Sequence, residues 1–361
     1  MLYGHGDDAR LQPREIRDDF SSNIRPDGPP PGLLGHLRTR IDVVTRYPDA
    51  GARDLAARFA AATNVPPENT LVTAGATAAI YLVAQTFRRK RSCIITPTFS
   101  EYEDAAKIHE HTLSFATRTE LRVPANAAPA NTAPTHAAPT NTAPANTAPP
   151  ADVLWLCEPN NPTGEVLPRE QLLALVDAQP ATVFVIDQSY AGFCSAPQLR
   201  ATDAAARDNL ILIHSLTKAL GIPGLRLGAT VSSAALIAQI TRHLQPWSVN
   251  ALALEAGAYY LSHVRDFALP LDDMLANARA LSRTISELPG YAPLPSATNF
   301  FLVTLARGVS QALKHYLVNG HGILVRDASN FRGLTAQHIR VAAQSPWQNH
   351  RLTEALRAWR P

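Results

Sequence analysis

Short uninterrupted apolar runs alternate with helical periodicity along much of this chain. Residues 92–96 (SCIIT), 153–156 (VLWL), 182–187 (TVFVID) and 210–214 (LILIH) are continuous apolar stretches bounded by breakers, which predicts buried strands. Between them Ile80, Val83, Ala84 and Phe87 recur at spacings of three and four, and Leu172, Leu173, Leu175 and Val176 follow Pro168. Those segments predict helices. Strands that alternate with helices argue for an α/β fold with a mostly parallel sheet, and place chemistry at the carboxyl ends of the strands. After Pro270 the pattern changes: a long helical stretch (DDMLANARALSRTISEL) leads to FFLVTL, ILVRD and HIRVAA as strands and LTEALRAW as a closing helix. A smaller α+β domain is expected there.

Composition narrows the class further. The 361 residues suffice for two domains, and 46% apolar against 17% charged residues can bury a sizeable core. A net charge of +3 is too near balance for a nucleic-acid or membrane-surface footprint. The polar start, MLYGHGDDARLQPRE, has no apolar signal core, and no stretch approaches a membrane span, so a cytoplasmic location is expected. Cys93, Cys157 and Cys194 lie far apart among apolar residues, with no C-x-x-C pair for metal or redox work. One segment stands apart: residues 124–150 are almost wholly Ala, Pro, Asn and Thr, with a proline at every fifth position from Pro124 to Pro149. Such a repeat blocks helix and has nothing to bury, which predicts a solvated surface loop inserted in the fold.

Four motifs carry the candidate chemistry. In HSLTKALGIPGLRLG, Lys218 follows a buried strand on a segment too apolar for a solvated charge run. A desolvated lysine amine loses its proton more readily and can form a Schiff base with an aldehyde cofactor. Ser215 and Arg226 flank it and suit a phosphate. In FVIDQSY, Asp187 ends a strand and Tyr190 follows three residues later; in CEPNNPTGEV a strand runs into a turn carrying Asn161. In TAGATAAIYLVAQTF a glycine-containing turn opens a helix, where the backbone amides of Ala76 and Thr77 make a phosphate cradle.

The order and spacing of these motifs resemble those of the class I/II aminotransferase family of pyridoxal-phosphate enzymes, over nearly the whole chain outside the proline repeat. The resemblance implies fold type I, with a seven-stranded, mostly parallel sheet in a large domain at 41–262. It also implies a small α+β domain at 263–361 and a segment at 1–40 that packs with it. It implies that Lys218 holds the cofactor, Asp187 its ring nitrogen, and Asn161 and Tyr190 its ring oxygen. Ser215, Arg226, Ala76 and Thr77 would take the phosphate, and Phe99 of PTFSEY would stack on the ring. Tyr47 of RYPDAG would be lent to the neighbouring subunit's phosphate site in a homodimer. The chain ends, HGDD with DFSSNIRPDGPP and VRDASNFRGL with HIRVA, look most like the threonine-phosphate decarboxylase branch of cobalamin biosynthesis, with the histidinol-phosphate aminotransferase branch as the alternative. That implies a phosphorylated amino acid or amine as substrate, with Arg340 facing the α-carboxylate and Arg326, His5, Gly6 and Asn23 facing the distal phosphate, or the two arginines exchanged. Gln188 stands where the family usually has an acidic residue, and Tyr190 is shared with the aminotransferase branch.

Overall fold

A computed structural model describes residues 8–121 and 149–360 of the chain. The strands among them are β1 (Asp18–Asp19), β2 (Thr70–Thr73), β3 (Arg91–Thr96), β4 (Thr112–Thr117), β5 (Val153–Cys157), β6 (Val183–Asp187), β7 (Leu210–Ser215), β8 (Gly228–Val231), β9 (Tyr291–Pro293), β10 (Phe300–Leu305), β11 (Ile323–Leu324), β12 (Arg326–Asp327) and β13 (His338–Ala342). Seven of them form one sheet in the order β2-β8-β7-β6-β5-β3-β4. All neighbours there are parallel except β8, which runs antiparallel to both β2 and β7.

The apolar runs lack alternation because both faces of this sheet are covered. Ile94, Trp155, Val185, Ile211 and Ile213 point into one core with Ile80 and Val83 of the helix Gly75–Thr86. Cys93, Ile95, Leu156, Phe184, Ile186 and Leu212 point into the other with Leu172, Leu175 and Val176 of the helix Arg169–Ala178. All three cysteines are buried and free. No described helix is long and apolar enough to cross a membrane.

A second sheet, β12-β13-β10-β9, is antiparallel. Its core joins Phe301, Val303, Ile339 and Val341 to Leu281 and Ile285 of the helix Leu271–Ser286 and to Leu352 and Leu356 of the helix Pro346–Ala358. The run ILVRD, read as one strand, divides. Ile323–Leu324 pairs with β1, whereas Arg326–Asp327 turns to β13, so that Arg326 lies directly opposite Arg340.

The amino-terminal segment divides too. Phe20 is fully buried in the second core and bonds through its backbone to Leu324 and Ala342. The helix Pro31–Thr39 instead packs Leu33 beside Leu220 and Ala256 of the large unit, with His36 and Arg40 on Glu255. Residues 1–7 and most of the proline repeat, residues 124–148, lie outside the described residues.

Candidate active site

The carboxyl ends of β5, β6 and β7 and the start of the helix Gly75–Thr86 meet β12 and β13 around a cavity of about 340 Å³ that continues into a deeper one of about 80 Å³. Lys218, Tyr190, Asn161, Arg226, Thr77 and Phe99 line both. Ala76, Asp187 and Ser215 line the deeper part; Asn23, Arg326 and Arg340 line the outer one. Two expected residues, His5 and Gly6, lie outside the described residues. Tyr47 is not brought to this cavity within one chain: it stands 85% exposed on another face, its ring 5.2 Å from that of Trp247.

At the floor, Asp187 is buried at the end of β6. Its Oδ1 accepts from the Ser189 amide at 2.8 Å and the Ser189 hydroxyl at 2.6 Å, and its Oδ2 from the Tyr102 hydroxyl at 2.8 Å. Burial pushes this carboxyl above the usual range, while those donors and the charge of Lys218 pull the other way. A group that returned a positive charge to this carboxylate would be held strongly. Tyr102 is held between the Trp155 ring, stacked at 5.8 Å, and the Phe99 ring, edge-on at 5.9 Å. Sequence reasoning missed Tyr102, although it stands three residues after Phe99 in PTFSEY, because a tyrosine among apolar residues reads as packing.

Lys218 sits in the one-and-a-half-turn helix Leu216–Leu220 that β7 runs into, with Nζ 5.9 Å from the centre of the Tyr190 ring. On the other side of the deeper cavity the start of the helix Gly75–Thr86 is built for close approach. Gly75 has φ +85°, and a Cβ there would meet the Arg226 guanidinium at 2.7 Å. At Gly228 a Cβ would lie 2.7 Å from the Ala76 amide nitrogen. Only glycine leaves those amides, Arg226 and the bonded Ser215 and Thr217 hydroxyls around one small space. That is the chemistry of a phosphate site at a helix start.

The turn bearing Asn161 is fixed from beneath. Glu158, buried, pairs with Arg118 and accepts from the Leu167 amide at 2.7 Å, while Asn160 donates to the Pro97 carbonyl at 2.9 Å. Gly164 closes the turn at φ +71°, where a Cβ would strike Ser296 at 1.9 Å.

The outer wall is cationic. Arg340 is buried; its Nη1 donates to Asn161 Oδ1 and its Nη2 to the Ser21 carbonyl, each at 2.5 Å. Among the described residues its Nε has no hydrogen-bond partner. Burial pulls its guanidinium down to about 10, and the nearby Arg326 adds to that, so it remains charged near neutrality. Arg326 lies opposite it across β12 and β13, held by Asn330 Oδ1 at 2.8 Å. Two cross-strand guanidinium groups in one cavity wall, one with an unpartnered Nε among the described residues, can accept anionic groups.

An α/β fold with a cavity-lining lysine, a strand-end carboxylate and a glycine-opened helix start in one cavity defines a class of cofactor-dependent enzyme. The chain belongs to the aminotransferase class I and II family, whose model matches residues 32–357. The family is pyridoxal-phosphate-dependent and the fold is fold type I. A threonine-phosphate decarboxylase from Salmonella typhimurium is 31% identical over 349 residues, 94% of this chain and 90% of its own. The crystal structure of L-threonine-O-3-phosphate decarboxylase from Porphyromonas gingivalis superposes with a TM-score of 0.84 at 36% identity, over 94% of this chain and 98% of that one. A histidinol-phosphate aminotransferase from Desulfitobacterium hafniense is 26% identical over 351 residues, 97% of this chain and 93% of its own.

Proposed function

We propose that this enzyme decarboxylates L-threonine O-3-phosphate. The observation that carries the reading is the pair of cross-strand neighbours Arg326 and Arg340, one of them fully buried with an unsatisfied Nε, beside the lysine-bearing cavity. A substrate with a carboxylate at one end and a phosphate at the other supplies an anion to each.

The residues present fit pyridoxal phosphate. The space that Gly75 and Gly228 keep open between Arg226, Ser215 and the amides of Ala76 and Thr77 would take its phosphate. Asp187 would hold the ring nitrogen in its charged form, and Tyr102 and Ser189 would keep that carboxylate aimed. Tyr190 and the amide nitrogen of Asn161, whose oxygen is committed to Arg340, would donate to the ring oxygen. Phe99 would cover one ring face, and Lys218 would carry the covalent link. When bound, the cofactor supplies an electron sink for the pair left by the broken bond at the α-carbon.

The protein's own share is placement. Arg340, immobilised by Asn161 and Ser21, would grip the α-carboxylate, and Arg326 with Asn23 the distal phosphate. Fixing both ends of the substrate leaves one orientation for the bonds at its α-carbon, which decides whether carbon dioxide or a proton departs. Lys218 Nζ is the amine in the cavity able to return a proton to that carbon.

Incubation with O-phosphothreonine is expected to release carbon dioxide with no 2-oxo acid present. Silence until histidinol phosphate and 2-oxoglutarate are supplied, followed by glutamate formation, would replace this reading with the aminotransferase one. A second copy of the chain is part of the proposal. Tyr47, its ring against that of the half-exposed Trp247, stands on the surface from which it would reach the partner's phosphate site. Sedimentation should report a dimer; a monomer retaining full cofactor occupancy would remove that role of Tyr47.

A further inference from the structure

The stretch 328–334, between β12 and β13, carries part of the outer cavity wall and then crosses to the large sheet. Asn330 and Phe331 line the cavity. Asn330 accepts from Arg326, whose guanidinium lies 5.4 Å from the centre of the Phe331 ring. The next residue turns away from the cavity. Arg332 makes a two-pronged ion pair with Glu103, Nε to Oε2 at 2.9 Å and Nη2 to Oε1 at 2.7 Å, while its guanidinium covers the Phe115 ring of β4 at 3.9 Å. Glu103 belongs to the helix Glu101–Ile108 and takes Lys107 as well, at 2.6 Å. That helix begins at the cavity too, with Glu101 and the preceding Ser100 and Phe99 in its wall. One ion pair on the outside therefore joins two walls of the same cavity that come from different sheets.

Exposed ion pairs commonly contribute little, because ordering two long side chains offsets the attraction. Here the fork geometry, the ring beneath the guanidinium and a third charge reduce that offset. Hydrogen bonding to Arg332, ahead of Lys107, holds the Glu103 carboxyl down at about 2, so the pair stays charged through the working pH range.

We propose that Arg332 and Glu103 are positioning residues: their ion pair fastens the 328–334 stretch to the helix Glu101–Ile108, so that Asn330 and Phe331 keep Arg326 set for the distal anion of the substrate. This rests on the reading of Arg326 as an anion site given above. The fastening is passive. Neither residue touches substrate, so its loss should weaken binding and leave the bond-breaking step intact.

The holoenzyme variants Arg332→Ala and Glu103→Ala are each expected to raise KM for O-phosphothreonine about tenfold with kcat within about twofold, the signature of lost ground-state binding. The exchanged pair, Glu103→Arg with Arg332→Glu, should recover most of that loss. Hydrogen exchange of the peptide spanning 326–336 should quicken in both single variants, with cofactor absorbance unchanged. A KM within twofold of the unaltered enzyme, a fall in kcat alone, or no recovery in the exchanged pair would overturn the proposal. If the unaltered enzyme acts on neither O-phosphothreonine nor histidinol phosphate, the functional reading fails. Exchange in the 326–336 peptide then decides the fastening by itself: an unchanged rate in Glu103→Ala refutes it.

Discussion

Replacing Lys218 by alanine is expected to abolish covalent capture of the cofactor and to lower activity by roughly three orders of magnitude or more, since the residue would serve both as the attachment point and as the proton carrier at the α-carbon. Borohydride treatment of the unaltered enzyme should fix the cofactor on the single peptide that spans Lys218, and mass analysis of Lys218→Ala should find none fixed. The physical motive is local. Lys218 follows the end of β7, its Nζ 5.9 Å from the centre of the Tyr190 ring, in the wall of the same cavity that Asp187 lines. Folding should survive the change, because Lys218 lies in the cavity wall rather than in either core of the large sheet. Label on another lysine of the unaltered enzyme would disprove the assignment.

The second large effect is expected at Arg340. Arg340→Ala removes the receptor for the α-carboxylate and releases Asn161 and the Ser21 carbonyl from their bonds, leaving polar groups of a buried site unpaired. Losing a buried charged hydrogen-bonding partner of this kind costs about 2–5 kcal/mol, or a fall in kcat/KM of roughly 30- to 5,000-fold. Arg340→Lys should recover little, because an ammonium group cannot reach Asn161, Ser21 and substrate from one planar fork. The pattern of loss is informative. Carbon dioxide release should fall for both variants, whereas cofactor occupancy should be retained, since the phosphate cradle at Gly75, Arg226 and Gly228 is built without Arg340. Decarboxylation by Arg340→Ala at an undiminished rate would remove Arg340 from the substrate site and with it the main support for the function proposed.

Much of the candidate site was legible before any coordinates, for a physical reason. Lys218, Asp187, Asn161 and the start of the helix at Gly75 each stand at a strand end or a helix start, where local pattern reveals both the element and the side chain placed at its edge. The arginines were legible as residues and illegible as a pair. Arg326 and Arg340 are fourteen positions apart, and their apposition follows from the antiparallel register of β12 with β13, which no short-range pattern encodes. ILVRD divided for the same kind of reason, since Val325 marks a change of sheet imposed by competing partners, β1 and β13. Tyr102 and the Arg332–Glu103 pair were invisible because their meaning lies in what they touch: a carboxylate 85 positions away and a helix 229 positions away. The α/β class, the strands buried on both faces and the chemical types available at strand ends follow from local periodicity and propensity, which the residue order alone carries. Which charges face one another, which donors are left without partners and which two walls close on one cavity depend on register and packing between segments far apart in the chain, and so emerge with the folded arrangement.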